Sequence, residues 1–299
     1  MRELGKRTLA LCGKSWIAVE ALDLVCALLP AVAPQWRAVA LPVATDGGED
    51  TWEPSFRRRC ALHGVPVVGS IEALDMGAAD VLICLQYDRI IRMPALNAAR
   101  GYNLHFSALP AHRGCYPAVW PIRDGDTHAG VTLHVLTSSI DDGAIVDQAL
   151  FEIPRSVTSY ELYRLLHREA LAVFARSLQA LLKGTVHLRD QPPTSAVYHD
   201  RHSIDFGQRE LHAAHTRSVD YCDRFLRSLI FPPRQLPLVE GREVLSCQPV
   251  RWNLQVSALP GVARHIDIAD DACLIRCLDG WLLLRLRGIA KPTAIQPDY

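Results

Sequence analysis

The fold of this chain is decided by residues 103–114, which read Asn103-Leu-His105-Phe-Ser107-Ala-Leu-Pro110-Ala-His-Arg113-Gly114. Alternate residues of a strand point to the same side of the backbone, so an Asn-x-His spacing at a strand end presents an amide and an imidazole together. An acidic loop, Ile140-Asp141-Asp142-Gly143, follows later in the chain. We therefore expect Asn103, His105 and Asp141 to converge on one small volume.

This stretch lies within an alternation of predicted strands and helices. A continuous apolar run at 8–12 ends at Gly13-Lys14, and apolar residues then recur at helical spacing over 17–29. Further strands are predicted at 36–43, 65–68, 79–85, 130–136 and 144–146, and a short helix at 55–63. Such alternation implies a mainly parallel sheet, in which ligands bind beyond the carboxyl ends of the strands. Residues 86–88 and 103–107 fall at such ends.

The chain is predicted to contain two domains. A capping box at 158–161 begins a helix that Gly184 ends, and this helix closes a catalytic domain over 1–185. The polar, turn-rich stretch 186–206 is typical of a linker. Residues 207–299 are expected to hold a helix at 207–229 and a small barrel-like β subdomain. Its five predicted strands lie at 236–240, 243–251, 262–268, 273–278 and 281–286.

Composition limits the partners of the protein. Lys+Arg and Asp+Glu each number 32, so no strong global field attracts nucleic acid or an anionic membrane. Nine scattered cysteines are typical of reduced thiols in a cytoplasmic protein, and we expect no metal site. Lys14 and Glu20 interrupt the first apolar run, which indicates a strand and not a signal peptide. No uncharged run approaches the roughly 20 residues that a membrane-spanning helix needs.

Together the motifs resemble the formyltransferase family that uses 10-formyltetrahydrofolate. Its hallmarks are an Asn-x-His at the end of a central strand, then Ser-x-Leu-Pro and Arg-Gly, then an Asp-x-Gly loop. Here these are Asn103, His105, 107–110, 113–114 and 141–143. The resemblance covers roughly residues 8–182 and implies a Rossmann-like α/β catalytic domain followed by an OB-like subdomain. It departs from the family pattern at Ala108, where a larger residue is expected.

Other segments are most similar to the bacterial enzymes that formylate an amino sugar linked to a nucleotide such as dTDP. They are Gln86-Tyr-Asp-Arg-Ile-Ile91, Cys115-Tyr-Pro-Ala-Val-Trp-Pro121 and Phe231-Pro-Pro-Arg-Gln-Leu-Pro237. The resemblance implies transfer of a formyl group from 10-formyltetrahydrofolate to a sugar amine. The expected partners are therefore folate and a nucleotide sugar, and the exposed β subdomain could support a homodimer.

This chemistry suggests a role for each candidate catalytic residue. Asn103 and a protonated His105 would stabilise the charge that develops on the formyl oxygen. Asp141 would raise the pKa of His105 and relay protons, and so help deprotonate the incoming amine. Asp142 could replace Asp141, but the Asp-x-Gly pattern favours Asp141.

Binding residues are expected at several further positions. Folate is expected to contact the residues that follow the 79–85 strand and the acidic loop, namely Gln86, Tyr87, Asp88, Ser138 and Asp142. The nucleotide sugar is expected to contact Lys14, Tyr221, Arg224 and Trp252. Arginine suits the oxygens of a diphosphate and aromatic rings can stack on a base, but a solvated helix face and core packing are equal alternatives.

Other functions are compatible with the same motif. The acceptor could be a hydroxyornithine-type amine or aminoacyl-tRNA, although residues 207–290 contain no lysine, which disfavours RNA. A formyltetrahydrofolate hydrolase or a folate sensor would carry a similar Asn, His and Asp set. The hydrolase would release formate without an amine, and the sensor would tolerate His105→Ala.

Overall fold

The computed structural model describes residues 5–91, 99–192, 196–250 and 264–288. The chain forms two compact units. The first unit comprises Met1–Ala118, Thr127–Ile153 and Tyr163–Ser203, and the second comprises Val119–Asp126, Pro154–Leu162 and Ile204–Tyr299. The domain boundaries at 185 and 207 stay a prediction.

A six-stranded sheet forms the centre of the first unit. The strands of this unit are β1 (Arg7–Gly13), β2 (Trp36–Pro42), β3 (Val81–Leu85), β4 (Arg100–His105), β5 (Arg113–Gly114), β6 (His128–Val135), β7 (Ile145–Glu152) and β8 (Tyr198–His199). The sheet order is β2-β1-β3-β4-β6-β7, while β5 and β8 pair separately. Strands β1 to β4 run parallel, and β6 and β7 are antiparallel to their neighbours. The predicted mainly parallel sheet is confirmed.

The central parallel strands end level with one another. Gly13 pairs with Leu85, and Leu85 pairs with Leu104, so β1, β3 and β4 deliver their next residues to one edge. A Cβ at Gly13 would lie 2.2 Å from the carbonyl oxygen of Leu85, so only glycine fits here. All five residues of β3 are buried, as expected for a strand covered on both faces.

Five helices are described, α1 (Ser15–Val32), α2 (Phe56–His63), α3 (Trp120–Asp124), α4 (Ser159–Lys183) and α5 (Val219–Leu229). Among the described residues, α1 is the one helix long and apolar enough to cross a membrane, and 44% of that stretch is buried in the fold. Helix α4 begins at the predicted capping box, where the Thr158 N–H donates to Glu161 Oε2 at 2.8 Å. It ends before Gly184, whose φ is 72°.

Two predicted elements are wrong. The strand at 65–68 is only an isolated bridge between Val67 and Ala40, because this exposed run contains Pro66, which has no N–H for a ladder. The helix at 207–229 begins only at Val219. Ser218 caps it by accepting from the Tyr221 N–H at 3.1 Å, while the segment before it bridges to a strand of the second unit.

An antiparallel sheet forms the core of the second unit with α5. Its strands are β9 (Leu238–Val239), β10 (Arg242–Val250), β11 (His265–Ala269), β12 (Ala272–Arg276) and β13 (Trp281–Leu286), in the order β11-β12-β13-β10-β9. The predicted small β subdomain is confirmed. Its core is apolar with several thiols, because Cys222, Cys247 and Cys273 pack among leucine and valine side chains.

Candidate active site

The three predicted catalytic side chains lie together at the end of β4. The Asn103 Nδ2 donates to Asp141 Oδ1 at 3.0 Å, and His105 Nδ1 lies 3.5 Å from Asp141 Oδ2. His105 and Asp141 are each 8% exposed, whereas Asn103 is half-buried. The two-residue period of the strand places the Asn103 amide and the His105 imidazole on one side of β4. The Asp141 carboxylate contacts both.

The Arg-Gly motif holds the carboxylate. The Gly114 N–H donates to Asp141 Oδ2 at 2.9 Å, so both carboxylate oxygens accept a hydrogen bond. Gly114 has a φ of 89°, and a Cβ there would lie 2.1 Å from the carbonyl oxygen of His199. A glycine is therefore required at this position both for the backbone conformation and for the close approach.

A second imidazole, which the sequence did not reveal, shares the carboxylate. His134 on β6 is the direct antiparallel partner of Asn103. Its Nε2 lies 3.3 Å from Asp141 Oδ1 and 3.2 Å from Asn103 Nδ2, and its Nδ1 lies 2.9 Å from the carbonyl oxygen of Val135. Its place on an alternating strand was visible in the sequence, but the register that sets it opposite Asn103 was not.

Burial has opposite outcomes for the pKa values of His105 and Asp141. The pKa of His105 is lowered because burial of the ring outweighs the attraction of Asp141. Asp141 does raise this pKa, as expected, but burial has the larger effect, and this disfavours the protonated His105 expected from the sequence. Burial also opposes the charge of Asp141, but His105, His134 and the Gly114 N–H together hold the pKa of Asp141 well below its usual range. At neutral pH the site contains a carboxylate and a neutral imidazole.

The loop after β4 orients the His105 ring. His105 Nε2 lies 3.0 Å from the carbonyl oxygen of His112, so the neutral ring carries its hydrogen on Nε2 and donates a hydrogen bond to this oxygen. The His112 ring stacks on His199 with centroids 5.4 Å apart. Ser107 closes the turn by donating its hydroxyl to the carbonyl oxygen of Ala111 at 2.7 Å. Ser107 thus stabilises the turn after β4.

A glutamine from the predicted linker ties two site loops together. Gln191 Nε2 donates to the carbonyl oxygens of Asp141 and Gly143 at 2.9 and 2.8 Å, and its Oε1 accepts from Arg113 Nη2 at 2.8 Å. It thereby braces Asp141, which has a φ of 51°. Nothing in the local sequence indicated this role, because Gln191 follows Asp141 by 50 residues.

The predicted folate-binding residues have varied environments. Gln86 and Tyr87 are half-buried just beyond β3, and Asp88 is exposed. Ser138 is exposed in the acidic loop, and the carboxylate of Asp142 accepts a short hydrogen bond from the Thr137 hydroxyl. Asp141 and not Asp142 is thus the acid that contacts Asn103. The binding roles stay predictions.

The predicted nucleotide-sugar residues are divided between the units. Lys14 lies at the start of α1 in the first unit, with its N–H donating to the carbonyl oxygen of Leu85 at 3.2 Å. Tyr221 and Arg224 lie on α5 in the second unit, where Arg224 pairs with Asp220 at 2.6 Å. Trp252 lies outside the described residues.

A comparison with protein families covers the region that contains the site. Residues 69–178, which include β4, its loop and the acidic loop, match the family model for formyl transferases. This part of the chain is therefore similar to formyl transferases. The matched region contains Asn103, His105 and Asp141, which lie together in the structure.

A curated relative matches about half of this chain. This chain is 33% identical over 156 residues to methionyl-tRNA formyltransferase of Synechococcus sp. (strain JA-3-3Ab). The alignment covers 50% of this chain and 45% of that protein. The chain spans less than half the length of the curated relatives it matches.

Solved structures share the fold over almost the whole chain. An N-formyltransferase from Helicobacter canadensis, in complex with folinic acid and dTDP-3-aminofucose, superposes with a TM-score of 0.81 at 23% identity and covers 94% of this chain and 100% of that one. The sugar 3N-formyltransferase WlaRD, in the presence of dTDP and 5-N-formyl-THF, also gives 0.81, at 21% identity, covering 96% and 99%. The expected formyltransferase fold, including the small β subdomain, is confirmed.

Proposed function

We propose that this chain transfers the formyl group of 10-formyltetrahydrofolate to the amine of a nucleotide-linked deoxyamino sugar. The observation that carries the proposal is the joint contact of Asn103 and His105 with Asp141 at the carboxyl end of β4, within a formyl transferase domain. An amide donor, an imidazole base and a carboxylate are the groups that acyl transfer to an amine requires.

Five residues are proposed to hold the formylfolate. 10-Formyltetrahydrofolate supplies the formyl carbon, and Gln86, Tyr87, Asp88, Ser138 and Asp142 are the residues proposed to hold it. Gln86 and Tyr87 follow β3, the strand next to β4, so a ligand beyond the sheet edge can reach both these residues and the site.

Asn103 is proposed to bind the formyl oxygen. One hydrogen of its amide is directed to Asp141 at 3.0 Å, and the other faces His134 Nε2 at 3.2 Å. The longer contact is the weaker one, so a ligand oxygen can compete with His134 for this hydrogen while the bond to Asp141 keeps the amide in place. A donor of this kind is worth about 3 to 4 kcal/mol in comparable sites.

His105 is proposed to accept the proton of the amine. Its neutral ring keeps its own proton on Nε2, facing the carbonyl oxygen of His112, so Nδ1 has the lone pair. Asp141, 3.5 Å from Nδ1, stabilises the ring once it has gained a proton. The lowered pKa of His105 keeps this base neutral at physiological pH.

An amino sugar is favoured as the acceptor by the fold beyond the catalytic region. The fold shared with the two N-formyltransferases that carry dTDP or a dTDP-sugar extends over at least 94% of this chain. The similarity to methionyl-tRNA formyltransferase covers half of it. Lys14, Tyr221, Arg224 and Trp252 are proposed to contact the nucleotide sugar, and a homodimer is proposed as the assembly.

The state of the cysteines indicates a reducing compartment. All nine cysteines are unpaired thiols, which supports the proposal that the protein is cytoplasmic.

The test is formyl transfer to a panel of amines, read by mass spectrometry. The panel contains dTDP-linked 3-amino and 4-amino sugars, hydroxyornithine and methionyl-tRNA, each incubated with 10-formyltetrahydrofolate. We expect a formyl adduct on an amino sugar, and we expect His105→Ala to abolish it while folate still binds. An adduct on methionyl-tRNA alone would contradict the sugar acceptor, and formate release without an amine would indicate a hydrolase.

A further inference from the structure

Four side-chain oxygens meet beyond the ends of β1 and β3. Ser15 Oγ donates to Glu53 Oε1 at 2.5 Å, and Tyr163 OH donates to the same oxygen at 2.8 Å. The two hydroxyl oxygens lie 2.9 Å apart, and Tyr163 OH lies 3.3 Å from Gln86 Oε1. We call Ser15, Glu53, Gln86 and Tyr163 the oxygen cluster. None of these contacts belongs to the site around Asp141.

The oxygen cluster lies one strand away from His105. Leu85 pairs with Leu104 in the parallel sheet, so Gln86 leaves β3 at the level at which His105 ends β4. Adjacent strands are about 4.8 Å apart. The ring of Phe106, the residue after His105, lies 6.0 Å from the ring of Tyr163. The oxygen cluster and His105 therefore lie at the same edge of the sheet, at the ends of neighbouring strands.

The cluster has fewer hydrogens than contacts. A serine and a tyrosine hydroxyl carry one hydrogen each, while a carboxylate oxygen and an amide oxygen carry none. Four oxygen–oxygen contacts are thus served by two hydrogens. Burial, followed by the charge of Glu53, raises the pKa of Tyr163, so the phenol stays a neutral hydroxyl. The Glu53 carboxylate and the acceptor oxygens beside it suit a group that brings several donors and a positive charge.

The surroundings leave room for such a group on a sugar ring. Glu53, Gln86 and Tyr163 are all half-buried, so each keeps a surface that solvent reaches, whereas Ser15 is 3% exposed. The half-buried Trp52 ring lies 6.3 Å from the ring of Tyr163. An aromatic wall beside polar oxygens can contact the apolar face of a pyranose while its substituents bind the oxygens.

We propose that the oxygen cluster binds the protonated primary amine of the acceptor and holds it beside His105. An ammonium offers three donors and a positive charge to the Glu53 carboxylate, whereas a hydroxyl offers one donor and no charge. The cluster would thus select an amino sugar over its hydroxyl counterpart. This inference rests on the proposed function, because it assumes an amine acceptor, and it assigns the recognition of that amine to Glu53.

The test is calorimetric binding of dTDP-3-aminofucose, its hydroxyl counterpart dTDP-fucose, and dTDP alone, with a dTDP-4-amino sugar and its counterpart as a second pair. Wild-type protein is expected to bind one amino sugar more tightly than its counterpart. Glu53→Gln should weaken the binding of that amino sugar about 10- to 100-fold, as expected for the loss of a charge-assisted contact. The same variant should leave the affinities for dTDP and for the hydroxyl sugar unchanged. Tyr163→Phe should give a smaller loss.

The matched control is Glu49→Gln, an exposed carboxylate in the same loop, which should bind all ligands as the wild type does. Thermal melting of each variant checks folding. The inference is overturned if neither amino sugar binds better than its counterpart, if Glu53→Gln leaves the amino sugar unaffected, or if it weakens all ligands equally. Formyl transfer is measured separately, so that selective binding without transfer would refute the proposed function alone.

Discussion

Replacing Gln191 should slow the reaction without weakening substrate binding. Its Nε2 donates to the carbonyl oxygens of Asp141 and Gly143, and its Oε1 accepts from Arg113. Gln191→Leu removes all three hydrogen bonds. Gln191→Glu keeps the acceptor for Arg113 but turns a second oxygen toward two carbonyl oxygens, so we expect it to be the more harmful change.

The structure gives a magnitude for the loss of stability and for the loss of rate that follow from removing Gln191. Two carbonyl oxygens lose a donor, which costs about 1 kcal/mol each when water can partly replace it at a half-buried side chain, or about 2 kcal/mol of stability. Asp141 is held in a left-handed conformation that costs roughly 1 kcal/mol or more, so it should relax when Gln191 is lost. A displacement of about 1 Å in a reacting group can lower the rate about 100-fold.

The assay is steady-state formyl transfer across pH, with urea unfolding in parallel. We expect kcat to fall about 10- to 100-fold with KM for the acceptor unchanged. Asp141 raises the pKa of His105, so a shift of the Asp141 carboxylate away from the ring should lower that pKa further. The acid limb of kcat/KM should then move to lower pH. Leu188→Ala, an exposed change in the same segment, is the control. A rise in KM alone, or an acid limb that does not move, would refute the positioning role.

Three further variants test other parts of the fold. Asp141→Asn should lower kcat about 10²- to 10⁴-fold and shift the acid limb of kcat/KM below that of the wild type, because His105 loses the charge that favours its protonated form; a pH–rate profile checks this. Gly143→Ala places a Cβ 1.8 Å from a β6 carbonyl oxygen and should cost about 1 to 3 kcal/mol in urea unfolding, whereas an unchanged midpoint would contradict the close contact. Arg227→Met leaves Asp223, its buried partner at 2.8 Å, without a cation, and should destabilise the protein by about 3 to 5 kcal/mol in the same assay; a cost below about 1 kcal/mol would show the pair to be solvated.

Local signals in the sequence predicted local structure well. The apolar run of β1, the capping box of α4 and the turns between the strands of the second unit depend on residues within a few positions of one another. The strand predicted at 65–68 failed because a short apolar run does not reveal whether a neighbouring strand will cover it. The helix predicted from 207 failed because a cap at Ser218 outweighs the weak helical signal before it.

The site divides in the same way. Asn103 and His105 could be predicted from a spacing of two, since that period sets the face of a strand. His134 and Gln191 could not be predicted in this way. The register between β4 and β6 places His134 beside Asn103, and a contact between distant loops places Gln191 beside Asp141, and neither is encoded in the local pattern. The Ser15 and Tyr163 hydroxyls meet over 148 residues of sequence.

By itself, the sequence determined the alternation of strands and helices, the small β subdomain and the face that carries Asn103 and His105. These features follow from side-chain periodicity and turn chemistry, which act over a few residues. Only the tertiary structure decided that Asp141 is shared with His134, that Gln191 braces its loop, and that burial leaves His105 neutral. Burial and hydrogen-bond partners depend on which distant segments come together, and that choice is made when the whole core packs.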